Sequence, residues 1–466
     1  MKLHNSLTKK VEEFTPITPG TASIYSCGPT VYDHIHIGNL RAFIMADSLR
    51  RTLAAAGFKT KHTMNYTDVD DKTIKRSHQT YPDDAPEEAL KTLTREYEGI
   101  FMDDMQAIGN DVDAMTFIRA TESIEAMQKL ITELLDKDFA YIADDGVYFS
   151  IQKYKAAGKT YGQLIELNSS NTSEARINND EYDKESVHDF ALWKTKKGDE
   201  PAWEFAYKEH DLLGRPGWHI ECSAMSAASL GLPFDIHTGG VDLIFPHHEN
   251  EIAQSTAATD TAYANFFVHN EHLLVEGRKM SKSLNNFFTL RDIREKGFEP
   301  VAFRVLVLQA HYRTQLNFSW DNLEAAQNRL RSYYAMAVLQ WQTSKSAPKY
   351  DLRSVREQLL SHAMNDVDTP KVLAELSGLT KLIEKGGLHE SQVAEFKELL
   401  VSTDELLGLD LSEQPDVSDE QKELLQRRQE ARDKQDWAAT DALRNELTTQ
   451  GITVRDTSQG QVWSRS

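Results

Sequence analysis

The sequence predicts an α/β fold: a parallel-sheet domain split by an insertion, then a helical bundle, then a small C-terminal α+β module. Three observations carry this. Ile24-Tyr25-Ser26 reads as a strand, a helix-forming run covers 40–55, and Lys59-Thr60-Lys61-His62-Thr63-Met64-Asn65-Tyr66 alternates and is rich in β-branched residues. Strand, helix and strand in that order make a βαβ unit of a parallel sheet. A similar apolar strand, Phe234-Asp235-Ile236-His237, recurs after Cys222, so the same sheet is interrupted between its halves. From about Ser319 the pattern turns helical, with Leu323, Ala326, Leu330, Tyr333, Tyr334, Ala337 and Trp341 at the spacing of one helix face.

In chain order, 1–119 form the first half of the sheet domain and 120–200 the insertion. The insertion carries a helix over 123–135, a hairpin-like stretch over 140–151 around Asp144-Asp145-Gly146, and a polar, Asn/Ser-rich loop. The second half of the sheet occupies 201–270, and 271–318 form a loop and junction. The helical domain covers 319–408, with further helices over 355–363 and 370–385. An acidic, proline-containing stretch over 409–420 reads as a linker. It opens a terminal module, 409–466, with helices over 420–435 and 437–450 and a closing strand pair.

Composition narrows the class. At 466 residues the chain is too long for one core. Hydrophobic content of 40% and charged content of 27% are those of a globular protein in water. No apolar run reaches the roughly 20 residues that span a bilayer, and the N-terminus lacks the apolar stretch of a signal peptide. Two cysteines cannot build a disulfide framework, so a reducing cytoplasm is expected. The net charge of −20 argues at first sight against a nucleic-acid partner, yet local basic faces survive such an average.

Both cysteines sit in chemically dense surroundings. Cys27 opens Cys27-Gly28-Pro29-Thr30-Val31-Tyr32-Asp33, and Cys222 closes Gly217-Trp218-His219-Ile220-Glu221-Cys222, followed by Phe245-Pro246-His247-His248-Glu249-Asn250-Glu251. Two buried apolar thiols are the bland reading. Thiols beside His and Glu instead suggest a metal site. Cys27, Cys222, His247 and Glu251 are all acceptable Zn²⁺ ligands, and spacing alone does not choose between His247 and His248.

Two further motifs address phosphate. His36-Ile37-Gly38-Asn39 follows a strand and begins a helix, where free backbone N–H groups and a partial positive charge receive anions. Gly38 permits close approach, and His36 and Asn39 share one side of the first turn. Lys279-Met280-Ser281-Lys282-Ser283, after Gly277, supplies cations and hydroxyls for a polyphosphate, where an isolated instance would be a solvated basic loop. Together and in this order they match the HIGH and KMSKS signatures of the class I aminoacyl-tRNA synthetases.

Within that class the chain resembles the cysteinyl-tRNA synthetase family nearly end to end. The matching runs are Cys27 to Asp33, Asn65-Tyr66-Thr67-Asp68-Val69-Asp70-Asp71-Lys72, Gly214-Arg215-Pro216-Gly217-Trp218-His219-Ile220-Glu221-Cys222, 245–254 and 434–451. Asn39 stands where the motif ends in His, and Thr238 where the family usually has a glycine. The resemblance implies a Rossmann-type catalytic domain and an anticodon-binding terminal module. It implies ATP contacts from His36, Gly38, Asn39, Lys279, Ser281 and Lys282, with His36, Asn39, Lys279 and Lys282 catalytic. It selects His247 as the zinc ligand, lines the cysteine pocket with Thr67, Trp218 and His237, and gives anticodon reading to Arg432, Asp441 and Asp456.

The expected activity is ATP-dependent ligation of L-cysteine to tRNA(Cys) by a cytoplasmic monomer, with one zinc and with Mg²⁺ accompanying ATP. A coordinated thiol is deprotonated, whereas serine offers a harder, less acidic hydroxyl. Bond chemistry then separates two amino acids that size would separate by only about 1–3 kcal/mol per methylene. The insertion therefore needs no editing site. The rivals are a cysteine ligase using a small amine acceptor, and a non-catalytic RNA- or zinc-binding paralogue.

Overall fold

The computed structural model describes residues 1–165, 172–177, 187–280, 286–457 and 460–465. Two compact units emerge: Met1–Asp292 with Tyr312–Asn317, and Ile293–His311 with Phe318–Ser466.

The first unit is built on a five-stranded, all-parallel sheet. Its strands are β1 (Thr21–Ser26), β2 (Lys59–Tyr66), β3 (Met115–Arg119), and then, after the insertion, a pair lying on the other side of β1. Helix α1 (Ile37–Ala55) makes the crossover from β1 to β2. Parallel strands covered on both faces are buried along their length, and the last five residues of β2 are all buried.

The insertion forms its own sheet from β4 (Ala140–Ala143), β5 (Gly146–Phe149), β6 (Thr172–Ile177), β7 (Val187–Thr195) and β8 (Gly214–Pro216), in the order β8-β7-β5-β4 with β6 beside β7. The expected hairpin is β4–β5, antiparallel and turning at Asp144 and Asp145. The expected polar loop is corrected: β6 lies within it and pairs in parallel with β7. The sheet also runs past residue 200, because β8 pairs with β7.

Helix α2 (Trp218–Leu230) returns the chain to the central sheet at β9 (Phe234–Gly240), helix α3 (Glu249–Thr259) follows, and β10 (Ala264–Asn270) is the edge strand. The central order is β10-β9-β1-β2-β3. The chain therefore leaves β1 in one direction and returns beside it from the other, and ligands bind at the carboxyl ends of strands at such a switch point. Here those ends are Ser26–Cys27 and Gly240. A short hairpin, β11 (Leu273–Val275) and β12 (Arg278–Lys279), completes this part.

The second unit is helical, with Pro300–Leu308, Trp320–Ala337, Leu352–Ala363, Thr369–Gly386 and Val393–Leu407. Trp341 does not extend the predicted face: its helix stops at Ala337 and its ring is 42% exposed, donating Nε1–H to the Gln414 carbonyl. The predicted linker is also corrected. Leu409, Leu411 and Val417 are buried, and the Asp404 carboxylate accepts N–H bonds from Leu411 and Ser412 at 2.7 Å. The terminal module comprises Asp419–Asp433, Trp437–Thr449 and the antiparallel pair Ile452–Thr457 and Gly460–Arg465, packed around Leu424, Leu447, Ile452 and Trp463. No helix among the described residues is long and apolar enough to cross a membrane.

Candidate active site and metal centre

A cavity of about 520 Å³ opens at the switch point and reaches from Cys27 and Trp218 at one end to His36, Gly38, Asn39, Lys279 and Met280 at the other. The chemistry of its two ends differs.

At the deep end, Cys27 leaves β1, Cys222 sits on α2, and His247 and Glu251 come from the wide turn Ile244–His248 and the first turn of α3. Their ligand atoms all lie within 4.8 Å of one another. Cys27 Sγ is 3.9 Å from Cys222 Sγ and 3.7 Å from Glu251 Oε1, and His247 Nε2 is 3.1 Å from that oxygen. Four ligands around zinc at its usual bond lengths stand about 3.3–3.8 Å apart. The cluster is thus already near the size of a tetrahedral site. Two sulfurs, one imidazole nitrogen and one carboxylate oxygen are also the donor types that suit Zn²⁺.

A second set, Cys27, His237, His248 and Glu251, also converges. It fits less well, because His237 Nε2 is hydrogen-bonded to Glu251 Oε2 at 2.6 Å and is not available to an ion. The Nδ1 of His247 meets His219 Nδ1 at 2.9 Å, the outer contact that orients a metal-binding imidazole. His248 Nδ1 has an outer contact of the same kind, with His269 Nε2 at 2.8 Å, so both rings are oriented and the choice of His247 stays with the family resemblance.

Electrostatics point the same way. Burial raises the Cys27 thiol pKa, while the contact from Cys27 lowers that of Cys222. Burial opposes charge on both His247 and Glu251; His237 and then His247 hold the Glu251 carboxyl well below its usual range, while Glu251, with Cys222, raises the His247 imidazole to about 10. Two sulfurs and a carboxylate gathered beside the His247 ring make a largely buried site that attracts a cation.

Of the three residues expected to line the cysteine pocket, only Trp218 reaches the cavity, its ring stacked 4.1 Å from that of His247. Thr67 is buried and donates its hydroxyl to Glu221 at 2.7 Å; His237 is buried behind Glu251. Both position carboxylates rather than line the opening. Thr238, the departure from the family pattern, is accommodated by Ser26: the two hydroxyls lie 2.6 Å apart, and Ser26 Oγ is 2.7 Å from His62 Nε2. Burial pulls His62 down to about 3, so that ring is neutral.

Sequence reasoning did not single out Asn65. Its Oδ1 accepts from the Gly28 N–H at 2.8 Å and lies 3.6 Å from Cys222 Sγ, tying the two thiol-bearing segments together. The Asn65 carbonyl also comes so close that a Cβ on residue 28 would sit 1.7 Å from it, so only glycine fits there. A polar side chain at the end of a buried strand was the available signal.

At the shallow end, α1 begins at Ile37, three residues before the expected start at 40: His36 is its N-cap, and its Nδ1 accepts from the Asn39 N–H at 3.2 Å. An accepting Nδ1 places the ring proton on Nε2, the donor form. Asn39 is exposed and lines the cavity. Lys279 pairs with Leu274 in the β11–β12 hairpin, and a Cβ on Gly38 would come 2.7 Å from Met280 Cε, so the two signatures meet. Ser281 and Lys282 lie outside the described residues.

In the terminal module, Asp456 receives both guanidinium nitrogens of the buried Arg428 at 3.0 Å, with Arg432 at 3.2 Å and Arg444 at 3.3 Å. The hydrogen bond from Arg428 leads in holding its pKa below the carboxylate range. Asp441 is exposed on the helix Trp437–Thr449.

Comparison with known proteins agrees with this geometry. A family model described as the class I (C) tRNA synthetase catalytic domain matches residues 13–328, and one described as the cysteinyl-tRNA ligase anticodon-binding domain matches 414–463. The chain is 38% identical to the cysteine–tRNA ligase of Leptospira interrogans serovar Lai, covering 100% of this chain and 99% of the relative. It is also 38% identical to that of Finegoldia magna, with 100% of both covered. Among solved structures it shares its fold with a Mycobacterium tuberculosis methionyl-tRNA synthetase (TM-score 0.57, 14% identity, 90% of this chain and 96% of that one). The Agrobacterium radiobacter K84 leucyl-tRNA synthetase gives a TM-score of 0.58 at 11% identity, with 86% of each covered.

Proposed function

This chain belongs to the cysteine–tRNA ligase family of class I aminoacyl-tRNA synthetases, and from that premise we propose how its residues activate L-cysteine with ATP and pass it to tRNA(Cys). The observation that carries the proposal is the single cavity joining the thiol cluster to both phosphate motifs. An amino acid seated at Cys27 and Trp218 has its carboxylate directed along the cavity towards the helix N-terminus at His36.

Cys27, Cys222, His247 and Glu251 would hold zinc, which when bound takes the substrate thiol as thiolate and so separates cysteine from serine. Trp218 closes the pocket over that side chain. Thr67 and His237 act from behind, by fixing Glu221 and Glu251. At the other end, His36 donates from Nε2 and Asn39 from its amide to the α-phosphate, while Lys279 and Lys282, with Ser281, meet the charge that develops on departing pyrophosphate. These are positioning and electrostatic contributions, and no protein nucleophile is required. The cysteine carboxylate attacks the α-phosphorus, the bond to pyrophosphate breaks, and cysteinyl-adenylate results. A terminal ribose hydroxyl of tRNA then attacks the adenylate carbonyl and AMP leaves. Mg²⁺ accompanies ATP.

In the terminal module, Asp441 and the Arg432 side chain read the anticodon, and Asp456 holds the arginines in place. Arg and Asp supply complementary donors and acceptors to the edges of unstacked bases. A small-amine acceptor is not favoured, because such a ligase has no use for this module. The enzyme acts as a cytoplasmic monomer, which mass measurement in solution and cell fractionation check.

Cysteine-dependent exchange of pyrophosphate into ATP tests the first step. Charging of purified tRNA, set against an amino-sugar acceptor, tests the second. Exchange without tRNA charging overturns the acceptor assignment, and the absence of both overturns the enzyme.

A further inference from the structure

Arg41 is 1% exposed on α1, five residues after His36, and its guanidinium hydrogen-bonds go to backbone carbonyls. Its Nη1 donates to the His272 carbonyl at 2.6 Å, and its Nη2 to those of Tyr312 at 3.3 Å and Thr314 at 2.5 Å. Burial lowers its pKa to about 10, with Glu271 opposing, so the group stays charged at neutral pH.

The three carbonyls belong to two segments that run side by side. Glu271 N–H donates to the Tyr312 carbonyl at 2.8 Å and Leu316 N–H to that of His272 at 3.2 Å, so Arg41 joins a pairing already made. One of these segments is the root of the hairpin that carries Lys279: His272 directly precedes β11, and Leu274 pairs with Lys279. The hairpin turn is tied to the second segment, because Gly277 N–H donates to Asn317 Oδ1 at 2.7 Å. Asn270, Glu271 and His272 themselves line the cavity.

A buried charge is costly, and an apolar side chain of similar volume is often as stable or more so. Filling space does not explain an arginine here. A planar fork reaching three carbonyls on two segments does fix one element against another in distance and angle, and a lysine cannot reproduce it.

We infer that Arg41 is a positioning residue for adenylation: it registers the Lys279 hairpin against the helix whose N-terminus holds His36, and thereby sets the distance between the two phosphate-binding motifs. This rests on the reading that Lys279 acts on ATP. Displacement of about 1 Å at such a contact costs on the order of 10²-fold in rate.

The test is a double-mutant cycle read by cysteine-dependent pyrophosphate exchange, with zinc content, cysteine KM and melting temperature followed in parallel. Arg41→Lys is expected to lower the exchange kcat about 10–100-fold and raise the KM for ATP, with zinc content and cysteine KM unchanged. In a Lys279→Ala background the same substitution is expected to cost little more, because residues that act together are not additive. Additive losses, or an equal rise in cysteine KM, overturn the inference and leave Arg41 a packing residue. If Lys279→Ala alone leaves exchange unchanged, the underlying reading fails instead. Should Arg41→Lys not fold, Asn317→Ala releases the same hairpin from an exposed position and enters the same cycle, with the same two outcomes deciding.

Discussion

Two charge clusters, one in each unit, differ in the sign of what they leave over. Around Cys27, Cys222, His247 and Glu251 two sulfurs and a carboxylate converge beside one imidazole, mostly buried at the deep end of the cavity. Around Asp456 three guanidiniums share one carboxylate, and the side chains of Arg432 and Arg444 are 31% and 43% exposed. The buried anionic surplus suits a small ion that sheds its water. The exposed cationic surplus suits a large polyanion that keeps much of its own, which is how a chain of net charge −20 can still meet RNA. Excess charge names the ligand's sign, and burial names its size.

The strongest way to break this contrast is at the buried cluster. Cys222→Ser is expected to remove the metal, so that elemental analysis falls from one zinc per chain to none and cysteine activation is lost. His248→Ala, outside the favoured ligand set, should keep the metal with about 10–100-fold weaker affinity. If His248→Ala empties the site and His247→Ala does not, the assignment of ligands is reversed.

Next in size is the second phosphate motif. Lys282→Ala should slow adenylation by about 10²–10³-fold, the usual loss for one such donor. Cysteine KM should hardly move, since the role proposed for this lysine is toward pyrophosphate and not toward the thiol. Normal turnover in the pyrophosphate exchange assay would make the segment a solvated loop.

The arginine cluster should give smaller, separable effects. A chain ending at Gln414, which keeps the buried Leu409 and Leu411, should exchange pyrophosphate normally while its KM for tRNA rises, because the binding removed is remote from the chemistry. Arg432→Ala should weaken tRNA binding by about 1–3 kcal/mol and relax discrimination at the anticodon base it reads. Unchanged KM in both proteins would remove the module from recognition.

The smallest effect expected is in pH. The folded pKa of Asp456 is depressed, so its pairing stabilises the protein above the unfolded carboxylate value and is lost as pH falls through the lower folded value. Melting temperature should therefore fall with acidification below about pH 4, and less steeply for Asp456→Asn. Parallel profiles for the two proteins would show that the arginines do not depend on this carboxylate.

Much of this was legible in the sequence because the signals are local. A helix N-terminus after a strand, alternation over Lys59–Tyr66, and His247 and Glu251 one helical turn apart can each be read along the chain. What escaped is the second layer, where partners are far apart. Nothing near Thr67 announces that its hydroxyl is committed to Glu221, or near Asp456 that three arginines surround it. The 409–420 stretch misled because its acidic residues outnumber the few leucines that bury it. Polar composition describes the exposed face of a segment and is silent on the other.

The continuity of the cavity has a pharmacological consequence. A non-reactive molecule carrying a thiol at one end and a nucleoside at the other would engage both sets of groups through a single association event, surrendering its translational freedom once where two separate ligands surrender it twice. Under the zinc–thiolate recognition proposed for the thiol end, replacing sulfur by oxygen in that molecule should forfeit the selectivity while keeping the nucleoside's share of the affinity. The walls between Trp218 and Gly38 would then set the length of the tether.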